Sequence, residues 1–170
     1  MTTIVKVGKA IAIDSRITEN GIVLDDDFRK YAEDENNIYL FTGSMCNFEE
    51  MAKLYSSNTM SEKPELFMDT TMLAFDKHSG DVTQIKTDKN TKAIKVSPVS
   101  CHTYCVGSGR KYAYGVIGYI QDTESTLTDE TIAKRAIESA SKHDMYTCAN
   151  VRTWSAESSQ SVGSIREVMC

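Results

Sequence analysis

The second residue of this sequence offers the most distinctive possibility for catalysis. Thr2 and Thr3 stand directly after Met1. A threonine hydroxyl is a weak nucleophile at neutral pH and needs a base that accepts its proton. We expect Met1 to be removed, because a small second residue such as threonine generally permits this. The freed α-amine of Thr2 can then be that base, because its ordinary pKa of about 7.7–8.0 leaves much of it neutral near pH 7. Taken alone, the two threonines favour a simpler interpretation as ordinary strand residues.

Three residues further along could assist such a nucleophile. A cation such as Lys30 would lower the proton affinity of both the amine and the hydroxyl, and a carboxylate such as Asp14 would orient that cation. The N–H of Gly43 could hold the oxyanion of a tetrahedral intermediate. Each residue also has an ordinary explanation, since Asp14 could be a turn cap, Lys30 a solvated charge and Gly43 a strand-to-helix corner.

The elements that must position these residues are mostly strands. β-rich runs bounded by turn signals, including Gly8-Lys9 and Ser79-Gly80, predict them. They lie at residues 4–7, 10–13, 22–24, 38–42, 70–75, 82–86, 94–99 and 103–106, with a final strand pair within 146–154.

Helices are indicated where apolar residues recur every three or four positions. They lie around 45–55, at 111–119 and at 129–142, the last with Thr128 as its N-cap. A polar loop is expected at 86–92. The order of strands, helix, strands, two helices and strands predicts a two-sheet core with helices outside, not a βαβ series.

Composition excludes several classes of protein. The 170 residues fit a single domain over positions 1–170, with 155–170 as a loosely packed tail. The net charge of −5 argues against a nucleic-acid partner. No apolar run is long enough to span a membrane. The five cysteines form no disulfide framework, so we expect a reducing, cytoplasmic compartment.

Cysteine spacing also argues against a metal site. Cys101, His102 and Cys105 could be ligands, but on an extended strand the two cysteines would be about 13 Å apart. That separation is too great for one zinc ion. We therefore expect buried or half-buried thiols there and no metal.

Six short segments carry a resemblance to a known family. In order, they are TTIV (2–5), IDSRIT (13–18), RK (29–30), FTGS (41–44), VGSG (106–109) and HDMYT (143–147). The segments, their order and the separation of Asp14 from Lys30 resemble the proteasome β-subunit family. That family includes the bacterial HslV peptidase and belongs to the N-terminal-nucleophile hydrolases. The resemblance covers about residues 2–154 by this count of motifs.

The resemblance implies a role for the residues considered above. Thr2 would be the nucleophile and its freed amine the general base. Lys30 would lower the pKa of the Thr2 hydroxyl, and Asp14 would pair with Lys30. The N–H of Gly43 would form the oxyanion hole.

The resemblance adds three residues to this set. Ser108, Asp144 and Thr147 would form hydrogen bonds around the amine of Thr2 and help the proton move. Position 147 is a serine in the eukaryotic-type pattern, and threonine keeps the hydroxyl.

The resemblance also implies a fold and an activity. The fold would be α+β, a four-layer αββα sandwich of two antiparallel sheets flanked by helices. The reaction would be hydrolysis of peptide bonds in peptides or unfolded proteins through an acyl-enzyme ester, with no cofactor. The subunits would form a homo-oligomeric ring, and an ATP-dependent unfoldase is a partner by analogy only.

Departures from the family pattern indicate a divergent branch. Ser44 stands where the family usually has a second glycine, and Cys148-Ala149 stand where glycines or an asparagine are usual. The first hairpin is also tighter than in many members. Two alternatives therefore stay open: a catalytically inactive ring subunit that retains Met1, and an amidase that uses the same nucleophile on small amides.

Overall fold

The structure, a computed structural model, describes residues 2–43, 48–87, 93–123 and 126–156. The strands are β1 (Thr3–Val7), β2 (Ala10–Asp14), β3 (Ile17–Glu19), β4 (Ile22–Asp25), β5 (Tyr31–Glu33), β6 (Asn37–Gly43), β7 (Thr70–Asp76), β8 (Val82–Thr87), β9 (Ile94–Pro98), β10 (Thr103–Gly107) and β11 (Val151–Ser155). The helices are α1 (Phe48–Ser56), α2 (Arg110–Thr123) and α3 (Asp129–Ala140), with short 3₁₀ turns at Met60–Glu62 and Pro64–Phe67.

The strands form two main sheets in which every pair is antiparallel. The first sheet has the order β10-β1-β2-β11 and the second the order β5-β6-β7-β8-β9. Strands β3 and β4 make a separate two-stranded ribbon. For strands joined by short turns, such as β1 with β2 and β7 with β8, antiparallel pairing is expected, because parallel neighbours would need long crossover connections.

Three apolar clusters show how the layers stack. Residues of α2 and α3, including Ile117 and Ile137, pack on one face of the first sheet. The two sheets face each other through side chains such as Ile11 and Leu73. Helix α1 packs on the outer face of the second sheet, where Met51 is fully buried. Each fully buried side chain of this size contributes about 1.5–3 kcal/mol. The predicted four-layer αββα arrangement of an α+β fold is confirmed.

Most local predictions agree with the structure. The hairpins at Gly8-Lys9 and Ser79-Gly80, the ribbon strand around Val23 and both long helices are present. The hydroxyl of Thr128 accepts a hydrogen bond from the N–H of Thr131, as an N-cap should. Strands β3 and β5, each of three residues, were not predicted. Runs this short give too little alternation to recognise.

The strand pair predicted within 146–154 is wrong. Only β11 forms there, from Val151 to Ser155, and it pairs with β2. The preceding segment is a turn, in which the N–H of Tyr146 donates to Asp144 Oδ1 and the N–H of Thr147 to the Asp144 carbonyl. A side chain that accepts from its own nearby backbone competes with strand pairing.

Several predictions concern residues outside the described ranges. These are the removal of Met1, the serine at position 44, Met45 of the first helical stripe, the loop after Thr87 and the tail from 157 onward. Ser155, predicted to begin the loose tail, instead belongs to β11. The N–H of Ala156 donates to the carbonyl of Lys9 at 2.9 Å.

Among the described helices, none has both the length and the apolar character that crossing a membrane requires.

Candidate active site

The start of β1 lies between the ends of two neighbouring strands. Thr2 is 3% exposed, and its carbonyl accepts a hydrogen bond from the N–H of Ser108 at 3.2 Å. Gly107, paired with Thr3 across β1 and β10, has a φ of +102°. A Cβ at Gly107 would lie 1.6 Å from the Thr2 carbonyl oxygen. Glycine at this position therefore allows the backbone of β10 to approach Thr2.

Asp14 and Lys30 form a buried ion pair beside this strand end. Lys30 Nζ lies 3.1 Å from Asp14 Oδ2, with the side chains 5% and 0% exposed. The ammonium also donates to the carbonyl of Arg16 at 2.8 Å. The Asp14 carboxylate accepts from the backbone N–H groups of Thr3 at 2.7 Å, Arg16 at 3.0 Å and Cys148 at 3.4 Å. Lys30 is therefore not the solvated charge that the sequence left open.

Burial shifts the protonation of both partners. It raises the pKa of the Asp14 carboxyl, while the charge of Lys30 and the N–H donors oppose this shift. It lowers the pKa of the Lys30 ammonium, and the attraction of Asp14 opposes that shift. Lys30 is thus held in one place by a carboxylate and releases its proton more readily than a lysine at the surface.

A pocket of about 340 Å³ joins three of the predicted site residues. Thr2, Lys30 and Gly43 all line it. Much of the remaining wall is apolar and comes from β3, β4, β6, α1 and the segment before Lys30: Ile17, Leu24, Phe28, Phe41 and Phe48. A larger groove of about 980 Å³ between β5 and α1 contains none of the predicted site residues. The smaller pocket is therefore the candidate site, because the residues that could do chemistry line it.

Gly43 ends β6 at the rim of this pocket. Its φ is +118°, a conformation that side chains other than glycine rarely adopt. A Cβ added there would lie 2.0 Å from the carbonyl oxygen of Asp69. The backbone therefore requires glycine at position 43. The simpler explanation of Gly43 as a strand-to-helix corner did not include this requirement.

The other three predicted residues lie behind Thr2. The hydroxyl of Thr147 donates to Asp144 Oδ2 at 2.6 Å and lies 2.6 Å from the hydroxyl of Thr3. The buried hydroxyl of Ser108 has no hydrogen-bond partner among the residues that the structure describes. The structure thus gathers the predicted residues at one place, although Thr147 and Asp144 are joined to Thr3.

Sequence reasoning missed the contributions of Thr3 and Arg16. Arg16 makes two hydrogen bonds to the carboxylate of Asp26 and one to the carbonyl of Met145. Its position in the IDSRIT segment marked it, but nothing in the sequence identified Asp26 as its partner. Thr3 had no signal beyond its place beside Thr2.

The cysteine prediction is half right. Cys105 is buried, and burial raises the pKa of its thiol to about 12. Cys101, expected to be buried or half-buried, is exposed. It lies in the bend before β10. No group of three or more possible metal ligands occurs in the part of the chain that is described.

Comparison with known proteins gives structural matches only. No protein-family model and no curated protein sequence matches the chain. It is similar to the structure of Thiobacillus denitrificans BPH in complex with epoxomicin, at 17% identity and a TM-score of 0.66, over 90% of this chain and 96% of that chain. It is also similar to eukaryotic HslV from Trypanosoma brucei, at 18% identity and a TM-score of 0.63, over 89% and 97% of the two chains.

A second structure of Thiobacillus denitrificans BPH matches at 16% identity and a TM-score of 0.60, over 90% of this chain and 95% of that chain. At these identities the likeness establishes the fold. The structural resemblance to HslV that the sequence motifs predicted is confirmed at that level.

Proposed function

We propose that the protein is a threonine peptidase that hydrolyses peptide bonds through an acyl-enzyme ester on Thr2, once Thr2 is the N-terminal residue. One observation carries the proposal. Thr2, Lys30 and Gly43 border one pocket, and the buried carboxylate of Asp14 holds Lys30 there. This set combines a nucleophile, a fixed cation and a backbone N–H at a strand end, and it needs no cofactor.

The proposed reaction has two stages. The neutral α-amine of Thr2 accepts the hydroxyl proton as Oγ1 attacks the substrate carbonyl, and the N–H of Gly43 stabilises the oxyanion. The ammonium of Lys30 lowers the pKa of the hydroxyl. The amine then returns the proton to the leaving nitrogen, and an ester remains on Thr2. Water attacks that ester by the reverse proton transfers and releases the carboxylic acid product.

The walls of the pocket suggest which peptides fit. Phe41 and Phe48 stack with their ring centroids 4.4 Å apart, and Ile17 and Leu24 line the same pocket. Among the residues that the structure describes, Glu19 is the only acidic one lining this pocket. We infer that the substrate residue whose carbonyl is attacked carries an apolar side chain, because burial of apolar area is the main gain available there.

Assembly into a ring of identical subunits is part of the proposal. Large apolar side chains stay exposed in the single chain, among them Ile22 and Tyr119, each 66% exposed. A ring would cover such surfaces and enclose the active sites. An ATP-driven unfoldase that delivers unfolded protein remains an analogy. Native mass spectrometry tests the assembly, and a monomer at micromolar concentration would contradict it.

The decisive experiment is covalent labelling. The protein is produced as a fusion whose removal leaves Thr2 first, beside a matched form that retains Met1. A peptide epoxyketone has two electrophilic centres, so a hydroxyl and an amine on one residue can both add to it. We expect the Thr2-first form to gain the full mass of the reagent on Thr2 and to hydrolyse peptides. The form that retains Met1 and the Thr2→Ala variant should do neither.

The same experiment separates the alternatives. A Thr2-first protein that forms rings but takes no label is an inactive ring subunit. Hydrolysis of small amides without hydrolysis of peptides identifies an amidase. Either result would overturn the proposed peptidase.

A further inference from the structure

Thr3 connects the two acidic residues of the site. The side chain is fully buried. Its backbone N–H donates to Asp14 Oδ1 at 2.7 Å. Its hydroxyl accepts from the N–H of Gly109 at 2.9 Å and lies 2.6 Å from the hydroxyl of Thr147. Three buried polar contacts therefore meet at this one residue.

The direction of this hydrogen-bond chain follows from the number of protons. The hydroxyl of Thr147 has one proton and donates it to Asp144 Oδ2 at 2.6 Å. Thr147 can therefore only accept from Thr3. The N–H of Gly109 is a donor only, so Thr3 accepts from it and donates to Thr147. The chain runs in one direction, from Gly109 through Thr3 and Thr147 to the carboxylate of Asp144.

This hydrogen-bond chain holds the peptide group that carries the proposed nucleophile. The carbonyl of Thr2 and the N–H of Thr3 belong to one planar peptide group. Ser108 holds the carbonyl, at 3.2 Å, and Asp14 holds the N–H, at 2.7 Å. The hydroxyl of Thr3 adds a third attachment on the side of Asp144. Displacement of this peptide would displace the amine and hydroxyl of Thr2 together.

We propose that the Thr3 hydroxyl is a positioning group for the reaction of Thr2, through its hydrogen bonds to Gly109 and Thr147. This inference rests on the proposed function. It assigns to Thr3 no contact with the substrate and no proton in the reaction. Its role is to fix the nucleophile against Ser108 and Asp14, because a displacement of about 1 Å can cost about 10²-fold in rate.

The test uses variants that differ by one hydroxyl. Thr3→Val keeps the shape of the side chain and removes the hydroxyl, whereas Thr3→Ser keeps the hydroxyl. For Thr3→Val we expect kcat and the labelling rate to fall about 10- to 100-fold, with KM changed by less than about twofold. Thr3→Ser should restore both rates to within about threefold of the original protein.

The control removes a comparable hydrogen bond from the second sheet. The hydroxyl of Thr87 donates to the carbonyl of Phe67 at 2.6 Å. Thr87→Val should leave kcat and KM unchanged. If Thr3→Val does not fold, Thr3→Ala removes the hydroxyl without a second methyl group against Gly109. Equal rates for Thr3→Val and the original protein, or equally low rates for Thr3→Ser and Thr3→Val, would overturn the proposal.

A measurement without activity separates this proposal from the proposed function. Amide hydrogen exchange at Ser108 reports on its bond to the Thr2 carbonyl, and exchange at Gly109 reports on the bond to Thr3. We expect Thr3→Val to speed exchange at both amides. Faster exchange at Gly109 alone would show that Thr2 is positioned without Thr3. If the original protein takes no label, the proposed peptidase fails, while this exchange result still decides the role of Thr3.

Discussion

Two lysines of the molecule are equally buried but differ in what surrounds them. Lys6 is 6% exposed and Lys30 5%. Lys6 Nζ donates to the carbonyls of Gly8 at 2.8 Å, Cys101 at 3.0 Å and His102 at 3.4 Å. Among the described residues, no carboxylate forms an ion pair with it. Lys30 instead has a carboxylate partner and borders a pocket.

The difference shows that burial alone does not distinguish a lysine of the proposed site from a structural one. Three carbonyls satisfy the donors of Lys6 and hold the β1–β2 turn against the segment before β10, which is a structural task. At Lys30, one carbonyl and one carboxylate fix the ammonium, and the residue lines a pocket together with Thr2 and Gly43. The partner and the pocket, rather than the depth, distinguish the two sites.

The largest expected effect is on turnover. With Thr2 as the N-terminal residue, we expect Lys30→Met to lower kcat/KM by about 10³-fold or more, because it removes the positive charge from the pocket that holds the proposed nucleophile. Lys6→Met should change kcat/KM by less than about threefold. Initial rates on a peptide are compared at a temperature where circular dichroism shows both variants folded. Equal losses in the two variants would remove the distinction between the lysines.

The sequence predicted only one of these two environments. Asp14 and Lys30 were found because a nucleophile at Thr2 requires a cation and an acid, and because their separation matches a family pattern. Lys6 lies inside a strand whose five residues are all buried, and no residue near it in sequence indicates its carbonyl partners. Contacts such as Lys6 to His102 depend on how β10 pairs with β1, which short-range patterns do not determine.

The same limit applies within the site. Thr2, Asp14 and Gly43 stand at strand ends that the β-rich runs indicated, so their convergence was predictable once two sheets were assumed. The turn around Asp144 was misread as strand because Tyr146 and Val151 favour β structure, whereas hydrogen bonds to the Asp144 side chain and carbonyl decide the local backbone.

A smaller effect is expected when the carboxylate, rather than the ammonium, is removed. Asp14→Asn keeps the shape of the side chain but removes the charge that holds Lys30. The rate should fall about 10²-fold, because Lys30 loses its fixed position while its ammonium remains in the pocket. The KM for the peptide substrate should stay the same. A variant as active as the original protein would show that the carbonyl of Arg16 positions Lys30 without help.

The pH dependence of stability should also separate the lysines. Burial raises the pKa of Asp14, and the positive charge of Lys30 opposes this rise. Without Lys30, the pKa of Asp14 should therefore rise further above its ordinary value of 3.8. A raised pKa in the folded state gives stability that is present below pH 3.8 and is lost as the pH rises toward the folded-state pKa.

Lys30→Met should therefore lose unfolding free energy as the pH rises above 3.8, by about 1.4 kcal/mol for each unit that the pKa of Asp14 has risen. For Lys6→Met, the free energy of unfolding should be lower than that of the original protein by the same amount at every pH. Urea unfolding at several pH values measures both. Parallel curves for all three proteins would mean that Lys30 does not influence the ionisation of Asp14.

The smallest effect concerns the strand that Lys6 supports. Burial raises the pKa of the Cys105 thiol to about 12, so at pH 8 it should react with iodoacetamide far more slowly than the exposed Cys101. Lys6→Met removes a donor from the carbonyls of Cys101 and His102, just before β10. Because β10 is the edge strand beside β1, we expect it to separate from β1 more often in Lys6→Met than in the original protein. Loss of about 1 kcal/mol in local stability would raise Cys105 alkylation about fivefold.

Lys30→Met should leave that rate unchanged, because the carbonyl partners of Lys6 stay satisfied. Peptide mass spectrometry of quenched samples measures each thiol separately, with Cys101 as the internal reference. Faster alkylation of Cys105 in Lys30→Met alone would mean that the ion pair, rather than the carbonyl-bound lysine, holds this edge of the sheet.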